Sequence, residues 1–466
     1  MNRLALIIIF LVVTSLQAAK PNFLVIVTDD QRPDTIAALG NLHISTPNLD
    51  WLVKNGMTFE NFICSNPLCV PSRAEILTGR TGFQNGVLGM GREKINPRLT
   101  LWPQAMAAGG YHAWYSGKWM SDGSPSTRGY HETRGLFSSG GGTWKRDELV
   151  RGRKNRMITG YRNWTFKDQK GKAELHKGIG LTSLTDKHIA DSAMEFLKRK
   201  TDQPFFLHVN FTGPHDPLIY PPGYEKKYTG AKMKLPTNFK PRHPFDHGNI
   251  AGRDEELLPW PRTPKDVKDE LAVYYAVVDH IDQQVGRLID QLRRDGRLAN
   301  TYVIFTSDHG LAIGSHGLMG KQNMYNHTIR VPFLIAGPGL AKGKRVSAFG
   351  FLRDMYPTVC ELAGIEIPKT VHAKSLVPVL RGQQIVNALG YGYFRDVQRM
   401  VWDGKWKLIY YPKLEKYQLF DIEKDPYELT NLVGLPARQS NVKRLRRSLA
   451  QWFHDQGDKV VFEVKD

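Results

Sequence analysis

Three stretches of the sequence place carboxylates and histidines directly after runs of apolar residues. They are Asp29-Asp30 after residues 22–28, Pro214-His215 after residues 205–211, and Asp308-His309 after residues 301–306. Continuous apolar runs of this length are typical of strands buried on both faces of a parallel sheet. Because sites form at the carboxyl ends of such strands, the pattern predicts one site that combines metal ligands with acid–base groups.

A cysteine-containing segment carries the sharpest signal for chemistry. It reads Cys69-Val70-Pro71-Ser72-Arg73 and continues to Thr78-Gly79-Arg80. This segment resembles the sulfatase signature C-x-P-S-R followed by T-G-R. In that family the cysteine is oxidised to formylglycine before folding, and the hydrated aldehyde is the nucleophile. The alternative, a buried cysteine that only precedes a helix, leaves the twelve-residue match unexplained.

Further motifs extend the resemblance over most of the chain. In order they are Asp29-Asp30, Gly117-Lys118-Trp119, Pro214-His215-Asp216-Pro217, Ser307-Asp308-His309-Gly310 through Gly320-Lys321, Ile329-Arg330-Val331-Pro332 and Asp354-Met355-Tyr356-Pro357-Thr358. The chain is therefore similar to the formylglycine-dependent sulfatases of the alkaline phosphatase superfamily. Among these it resembles bacterial polysaccharide sulfatases and iduronate-2-sulfatase-like enzymes.

The carboxylates of the motifs suit one hard cation. Asp29, Asp30 and Asp308 supply oxygen ligands, which calcium prefers. The resemblance adds a hydroxyl oxygen of the formylglycine at Cys69 and a nitrogen of His309, although nitrogen is a less usual calcium ligand. We expect one Ca²⁺ ion at this site.

Sulfate ester cleavage needs a nucleophile, cations on the non-bridging oxygens and an acid for the leaving alkoxide. Lys118 and Lys321 are expected to hold sulfate oxygens, and Arg73 the formylglycine side. His215 is the expected acid, because imidazole titrates near neutrality. After the alcohol departs, the resemblance implies a sulfate hemiacetal that expels sulfate and regenerates the aldehyde.

One position departs from the family pattern. Many relatives read G-K-W-H, and that histidine assists the formylglycine, but the corresponding residue here is Met120. Met120 cannot take a proton. His131 and His316 are candidate substitutes, and each is also compatible with a structural role in a loop.

Other function classes stay open at this point. A small aryl or choline sulfate is an alternative substrate, and a phosphonate or phosphodiester hydrolase of the same superfamily is an alternative enzyme. A two-zinc phosphatase would need a Ser or Thr nucleophile and more histidines. A glycan-binding protein with a decayed site is the non-enzymatic alternative.

Charge and the N-terminus indicate where the protein acts. The formal net charge of +19 attracts polyanions, and the scattered basic residues are equally compatible with an ordinary solvated surface. Residues 1–19 resemble a signal peptide, a positive start followed by a short apolar run. We expect a periplasmic or secreted protein without a membrane span. Its expected partners are a sulfated carbohydrate (ulvan, carrageenan, fucan or glycosaminoglycan) and a formylglycine-generating or anaerobic maturating enzyme, not nucleic acid.

Strand–helix alternation predicts an α/β fold with a large, mostly parallel sheet between helices. A fourth strand is expected at 331–335, an amphipathic helix at 269–294 and another at 357–362. After about residue 370, alternating segments at 400–411 and 417–421 predict a smaller antiparallel sheet, with a hairpin turn at Asp403-Gly404 and a closing helix at 440–452. We divide the chain into a catalytic domain, residues 20–370, and a C-terminal subdomain, residues 371–466.

A glycine-rich basic segment and the two remaining cysteines also carry structural information. The segment 140–156, rich in Gly, Lys and Arg, predicts an exposed loop. Cys64 and Cys360 either form a disulfide or are simply buried.

Overall fold

The computed structural model describes residues 19–91, 93–140, 142, 160–383 and 386–460. Its strands are β1 (Asn22–Thr28), β2 (Met57–Ile63), β3 (His112–Lys118), β4 (Glu132–Ser139), β5 (Trp164–Lys167), β6 (Phe205–Asn210), β7 (Thr301–Ser307), β8 (Phe333–Ala336), β9 (Lys344–Phe351), β10 (Gly390–Phe394), β11 (Gln398–Trp402), β12 (Trp406–Tyr411) and β13 (Lys416–Asp421). Its α-helices are α1 (Pro47–Asn55), α2 (Cys69–Thr78), α3 (Gly82–Asn85), α4 (Trp102–Ala108), α5 (Thr185–Leu197), α6 (Pro264–Arg294), α7 (Asn326–Ile329), α8 (Met355–Leu362), α9 (Val377–Leu380) and α10 (Gln439–Asp455).

A nine-stranded mixed sheet forms the larger layer, in the order β5-β4-β3-β6-β1-β7-β8-β2-β9. The five adjacent strands β4, β3, β6, β1 and β7 are all parallel. In contrast, β5 and β8 pair antiparallel with their neighbours. The three apolar runs of the sequence become β6, β1 and β7, which are direct neighbours at the centre. Nearly every side chain of these strands is buried, because helices cover both faces of the sheet. The predicted α/β fold is confirmed.

The long helix α6 confirms the amphipathic stripe predicted at 269–294 but begins five residues earlier. Pro264 occupies its first turn, and the Thr263 hydroxyl accepts a hydrogen bond from the backbone N–H of Asp266 at 3.1 Å. A capping hydroxyl and a proline at the start are favourable features of helix N-termini. The helix predicted at 357–362 likewise starts two residues earlier, at Met355.

The C-terminal part is an antiparallel four-stranded sheet, β10-β11-β12-β13, followed by α10. The hairpin turn at Asp403-Gly404 joins β11 to β12, and Gly404 has the left-handed φ of 97° that favours glycine there. Aromatic and aliphatic side chains of this sheet, of α10 and of the loops beside α7 form one hydrophobic cluster. The smaller sheet with its closing helix is confirmed, and the boundary at residue 370 stays a prediction.

The N-terminus, the loop predicted at 140–156 and the cysteine pair were the remaining structural predictions. The signal peptide lies outside the described residues except for its last position, and so does most of the loop predicted at 140–156. Within the described chain, no helix combines the length and apolar character needed to cross a membrane. Cys64 and Cys360 are buried and unpaired, so the disulfide alternative is wrong.

Four buried histidines lie where the loops around α7 meet the C-terminal sheet. They are His243, His247, His316 and His327, each less than 7% exposed. His316 stacks on Tyr325 with ring centroids 3.9 Å apart. Burial lowers the pKa of His243 to about 4 and the pKa values of His247 and His316 to about 3, and it holds the pKa of His327 well below its usual range. These imidazoles are neutral in the folded protein.

The cluster predicts that acid lowers the free energy of unfolding. The pKa of these histidines is lower in the folded protein than the value of about 6.5 in the unfolded chain. As the pH falls below about 6.5, the unfolded chain therefore binds more protons than the folded protein. Each histidine of this kind removes about 2 kcal/mol at about pH 5 relative to neutral pH. Urea unfolding of His316→Phe, which keeps an aromatic ring against Tyr325, should show a shallower pH dependence than the wild type. The exposed His43→Asn variant is the matched control, and an unchanged slope in His316→Phe would contradict the assignment.

Candidate active site

Four neighbouring parallel strands end at the same edge of the large sheet and carry the motif residues there. In the order β3-β6-β1-β7, they deliver Lys118, His215, Asp29-Asp30 and Asp308-His309. All these side chains are at most 5% exposed. The edge predicted from the apolar runs is therefore the edge at which the structure brings these groups together.

The signature cysteine is the first residue of α2, so it lies at the positive end of the helix dipole. Nine of the ten residues of α2 are buried. Cys69 Sγ lies 3.4 Å from Asp29 Oδ1, 3.3 Å from His309 Nε2 and 3.4 Å from Lys321 Nζ. The fold thus aims the candidate nucleophile at the carboxylate edge of the sheet, in a position where developing negative charge is favoured.

Arg73 follows Cys69 by four residues and faces the same side of α2. Its Nε donates to Asp308 Oδ2 at 3.0 Å and its Nη1 to Asn210 Oδ1 at 2.6 Å. The guanidinium therefore ties the helix that begins with Cys69 to the ends of β6 and β7.

The residues predicted as metal ligands converge. One ligand atom each from Asp29, Asp30, Cys69 and His309 lies within 4.8 Å of the others. Asp308 lies beside them, with Oδ1 3.6 Å from His309 Nε2. This buried donor set, rich in carboxylate oxygen, fits a hard divalent cation.

Electrostatics at this cluster keep Asp29 and Asp30 ionised, whereas burial and the charge of Asp29 raise the pKa of Asp308 to about 6. Burial raises the pKa of Asp29, but Lys118 and other cations outweigh burial and hold that pKa well below its usual range. Asp30 is also buried, yet Lys321 and two histidines lower its pKa to about 2. Both side chains are therefore negative at neutral pH and ready to bind a cation.

Asp30 has a left-handed backbone, with φ of 69°, which is unusual for a residue with a side chain. Its N–H donates to Asp308 Oδ1 at 3.3 Å, and its carbonyl accepts from the Tyr274 hydroxyl at 2.6 Å. Strained backbone of this kind persists only where its surroundings fix it, and it is concentrated at functional sites.

Three further cationic groups surround the cluster. Lys118 forms an ion pair with Asp29, and Lys321 Nζ lies 2.9 Å from Asp30 Oδ1. His215 Nδ1 lies 3.0 Å from Asp216 Oδ1, and its Nε2 is 4.0 Å from Asp30 Oδ2. Burial lowers the pKa of His215, but the charge of Asp216 and other acidic groups raises it well above its usual range. These acidic neighbours therefore favour the protonated form of His215.

The Met120 departure is visible in the structure. Met120 lines the cavity above Cys69, whereas neither proposed substitute does. His131 is exposed and its Nδ1 accepts the Ala113 N–H at 3.0 Å, at the start of β3 and far from Lys118 at its end. His316 belongs to the histidine cluster near α7. The structure thus removes both from reach of Cys69.

Three side chains at the site were missed from the sequence. The Tyr161 hydroxyl donates to Asp29 Oδ2, and its ring lies edge-on to His215, with centroids 4.7 Å apart. Arg253 Nη2 donates to Asp216 Oδ1 at 2.9 Å. Asn210, the acceptor for Arg73, is the polar last residue of the otherwise mostly apolar strand β6. An amide at the carboxyl end of a buried strand is a sequence signal that could have identified it.

A cavity of about 630 Å³ opens above the cluster. Cys69, His215 and Lys321 lie among its lining residues, and so do two large aromatic side chains, Tyr161 and Trp164. Its rim carries the polar and charged residues Asp246, Asn249, Arg253, Gln322 and Arg395. A ligand larger than a sulfate group fits this volume.

Comparison with known proteins agrees with this geometry. The family model "Sulfatase" matches residues 21–365, and the model "N-sulphoglucosamine sulphohydrolase, C-terminal" matches residues 314–455. An arylsulfatase of Clostridium perfringens is 31% identical, over 92% of this chain and 94% of its own. A choline-sulfatase of Rhizobium meliloti is 30% identical, over 90% of this chain and 83% of its own.

Two solved structures share the fold. One was determined in complex with its substrate D-glucosamine-2-N,6-O-disulfate, with a TM-score of 0.76 and 22% identity over 96% of this chain and 100% of that one. The other is a phosphonate monoester hydrolase from Silicibacter pomeroyi, with a TM-score of 0.74 and 22% identity over 95% of this chain and 96% of that one. Since the family model covers most of the sequence, the chain belongs to the sulfatase family and is a sulfuric ester hydrolase.

Proposed function

We propose that this enzyme removes sulfate from a sulfated polysaccharide or its oligosaccharides, with a formylglycine made from Cys69 and one calcium ion. The convergence of Cys69, the carboxylates and the cationic side chains at one edge of the sheet supports this proposal. Export through the predicted signal peptide suits a polymer outside the cell. The modification also requires a maturation enzyme as a partner.

Two groups complete the site. Formylglycine supplies a hydroxyl nucleophile in place of the Cys69 thiol. Asp29, Asp30, Asp308, His309 and that hydroxyl would hold the calcium ion, which would supply positive charge that favours the ionised nucleophile and the sulfate oxygens.

The side chains of this protein then do three things. Lys118 and Lys321 lie at Asp29 and Asp30, where their ammonium groups can bind the non-bridging oxygens of sulfate. Arg73 fixes α2 against the sheet, so that residue 69 points at the sulfur. His215 donates its proton to the departing alkoxide and is held in place by Asp216.

The cavity favours a sugar over a small ester. Its volume of about 630 Å³ exceeds the need of a sulfate group, and Trp164 offers a flat aromatic face. The guanidinium of Arg395 among the lining residues suits a substrate with a second anionic group. A sulfated glycan has both an apolar sugar face and repeated charges.

A small aryl or choline ester is the second candidate. It is favoured by the arylsulfatase and choline-sulfatase relatives, which cover nine-tenths of the chain. A phosphonate monoester hydrolase shares the fold, so hydrolysis of phosphonate esters is also to be measured.

A substrate screen distinguishes these candidates. Purified enzyme with calcium is given defined sulfated oligosaccharides, nitrophenyl sulfate, choline sulfate and the matched phosphate and phosphonate esters, and the released anion is measured. We expect the highest kcat/KM with a sulfated oligosaccharide. A preference for choline sulfate or for the phosphonate would overturn the polysaccharide assignment.

His215→Ala is expected to damage sugar sulfate hydrolysis much more than nitrophenyl sulfate hydrolysis. A sugar alkoxide is a poor leaving group and needs the proton, whereas nitrophenolate departs without it. We expect kcat/KM to fall about 10²- to 10⁴-fold for the sugar and less than about tenfold for the aryl ester.

Lys321→Ala is the matched control for His215→Ala. It should reduce both reactions alike, because both substrates present the same sulfate oxygens. Thermal unfolding of both variants checks that the fold is intact. Equal losses for the two esters in His215→Ala would remove the acid role from this residue.

A further inference from the structure

A second cavity, of about 350 Å³, lies at the far end of α2 from Cys69. We name it the Trp452 cavity and define it by Arg80, His372, Lys374, Tyr391 and Trp452, which line it. Among the described residues it shares no lining side chain with the cavity above Cys69. The catalytic residues described above therefore do not account for it.

One wall of the Trp452 cavity is aromatic. Trp452 and Tyr391 stack with centroids 4.3 Å apart and ring planes within 6° of parallel. The same pair also lines a neighbouring hollow of about 450 Å³, beside Arg447 of α10. Trp452 is partly exposed, so the aromatic pair forms a ridge between two adjoining depressions.

The opposite wall is cationic. Arg80 Nη2 contacts His372 Nε2 at 2.7 Å, and the Arg80 Nε donates to the Thr370 carbonyl. Lys374 Nζ donates to the Val386 carbonyl at 2.9 Å. In the described part of the chain, neither the Arg80 guanidinium nor the Lys374 ammonium group forms an ion pair, so both charges are available to an anionic ligand. The Lys374 backbone N–H donates to Asp354 Oδ1 at 3.3 Å, and Asp354 is the carboxylate that also lines this cavity.

The site is built rather than incidental. Backbone N–H groups of His372 and Ala373 donate to the Gly79 carbonyl at 3.2 and 2.9 Å. These hydrogen bonds hold the loop segment that contains His372 and Lys374 against the C-terminal end of α2. Arg80, the last residue of the signature motif, therefore has a fixed position in this second cavity instead of in the active site.

We infer that the Trp452 cavity binds a sulfated segment of the polysaccharide chain, apart from the segment that is being hydrolysed. The flat aromatic wall fits the apolar face of a sugar ring, and guanidinium and ammonium groups form charge-assisted hydrogen bonds with sulfate. This inference rests on the proposed polymeric substrate. The ten residues of α2 span about 15 Å between the two sets of lining residues, and the inference requires one chain to pass over the surface between them.

Binding at two places raises the apparent affinity for a polymer but not for a small ester. Lys374→Gln should therefore raise KM for the polymeric substrate and leave hydrolysis of nitrophenyl sulfate unchanged. The matched control is Lys443→Gln, which removes the same charge from the opposite face of α10, about two and a half turns before Trp452.

The direct test measures binding of labelled dextran sulfate, with neutral dextran as the uncharged probe, in the full-length protein and in its Cys69→Ala variant. Because the inactive variant is included, binding is tested whether or not the proposed hydrolysis is correct. We expect Lys374→Gln to weaken dextran sulfate binding about tenfold, Lys443→Gln to change it less than about twofold, and Trp452→Phe to weaken it at an unchanged melting temperature.

Three outcomes would overturn the inference. Equal losses in Lys374→Gln and Lys443→Gln would show that the basic surface as a whole attracts the polymer. Unchanged binding in Lys374→Gln and Trp452→Phe would remove the cavity from the interaction. Single-stranded DNA that binds as tightly, with the same dependence on Lys374, would replace a glycan site by a general polyanion site.

Discussion

Cys69→Ala is expected to abolish sulfate ester hydrolysis, with a loss of more than about 10⁴-fold in kcat. The nucleophile in the proposed mechanism is made from this residue, and the neighbouring Ser72 hydroxyl is engaged with the Cys69 carbonyl at 3.1 Å. Intact mass of the wild type, produced with a maturation enzyme, should be lower by the difference between cysteine and formylglycine. The variant should lack that difference.

Cys360→Ala is the matched control for this loss. Cys360 is buried in α8, on the hydrophobic core and away from the cluster, so its replacement should cost stability but spare turnover. Substantial activity in Cys69→Ala, measured as released sulfate, would refute the mechanism. An unmodified Cys69 in fully active enzyme would refute the modification alone.

Removal of the metal is the second large expected effect. Chelation should reduce kcat/KM by about 10³-fold or more, and added calcium should restore it. Asp30→Asn and Asp308→Asn should lose activity in the same way and should weaken calcium binding in calorimetry, because each removes one charged oxygen ligand.

Asp246→Asn is the control for the metal prediction. Asp246 lines the same cavity and is exposed, yet it is not among the clustered ligand atoms. Its variant should keep the response to calcium. If zinc but not calcium restores the chelated enzyme, the calcium assignment is wrong and a phosphatase-like site gains support.

The sequence predicted the centre of the fold well for a physical reason. Strands β1, β6 and β7 are buried on both faces, so their apolar runs are continuous and easily recognised. The order of the strands is not encoded in any single run, because it depends on crossover connections. The antiparallel direction of β8, predicted only as a strand at 331–335, is another property that pairing alone reveals.

The site residues also fall into those that the sequence predicted and those that only the folded structure reveals. Residues within motifs, such as Asp308 and Lys321, were found because their spacing is local. Tyr161 and Arg253 reach the site from segments without a motif, and their contacts with Asp29 and Asp216 exist only after the chain has folded. His131 was a plausible base by sequence, but it lies just before β4 and contacts the start of β3, whereas Lys118 and the candidate site lie at the other end of that strand.

The burial of α2 has a consequence for how active molecules arise. Cys69 is 1% exposed and nine of the ten residues of α2 are buried. A maturation enzyme therefore cannot bind this segment once the chain has folded. On the proposed modification, conversion and folding compete in time, and a molecule that folds first is trapped with an inert thiol. The active fraction of a preparation is then set by the ratio of two rates. Slower folding, from lower temperature or a destabilised core, should increase the yield of working enzyme per molecule.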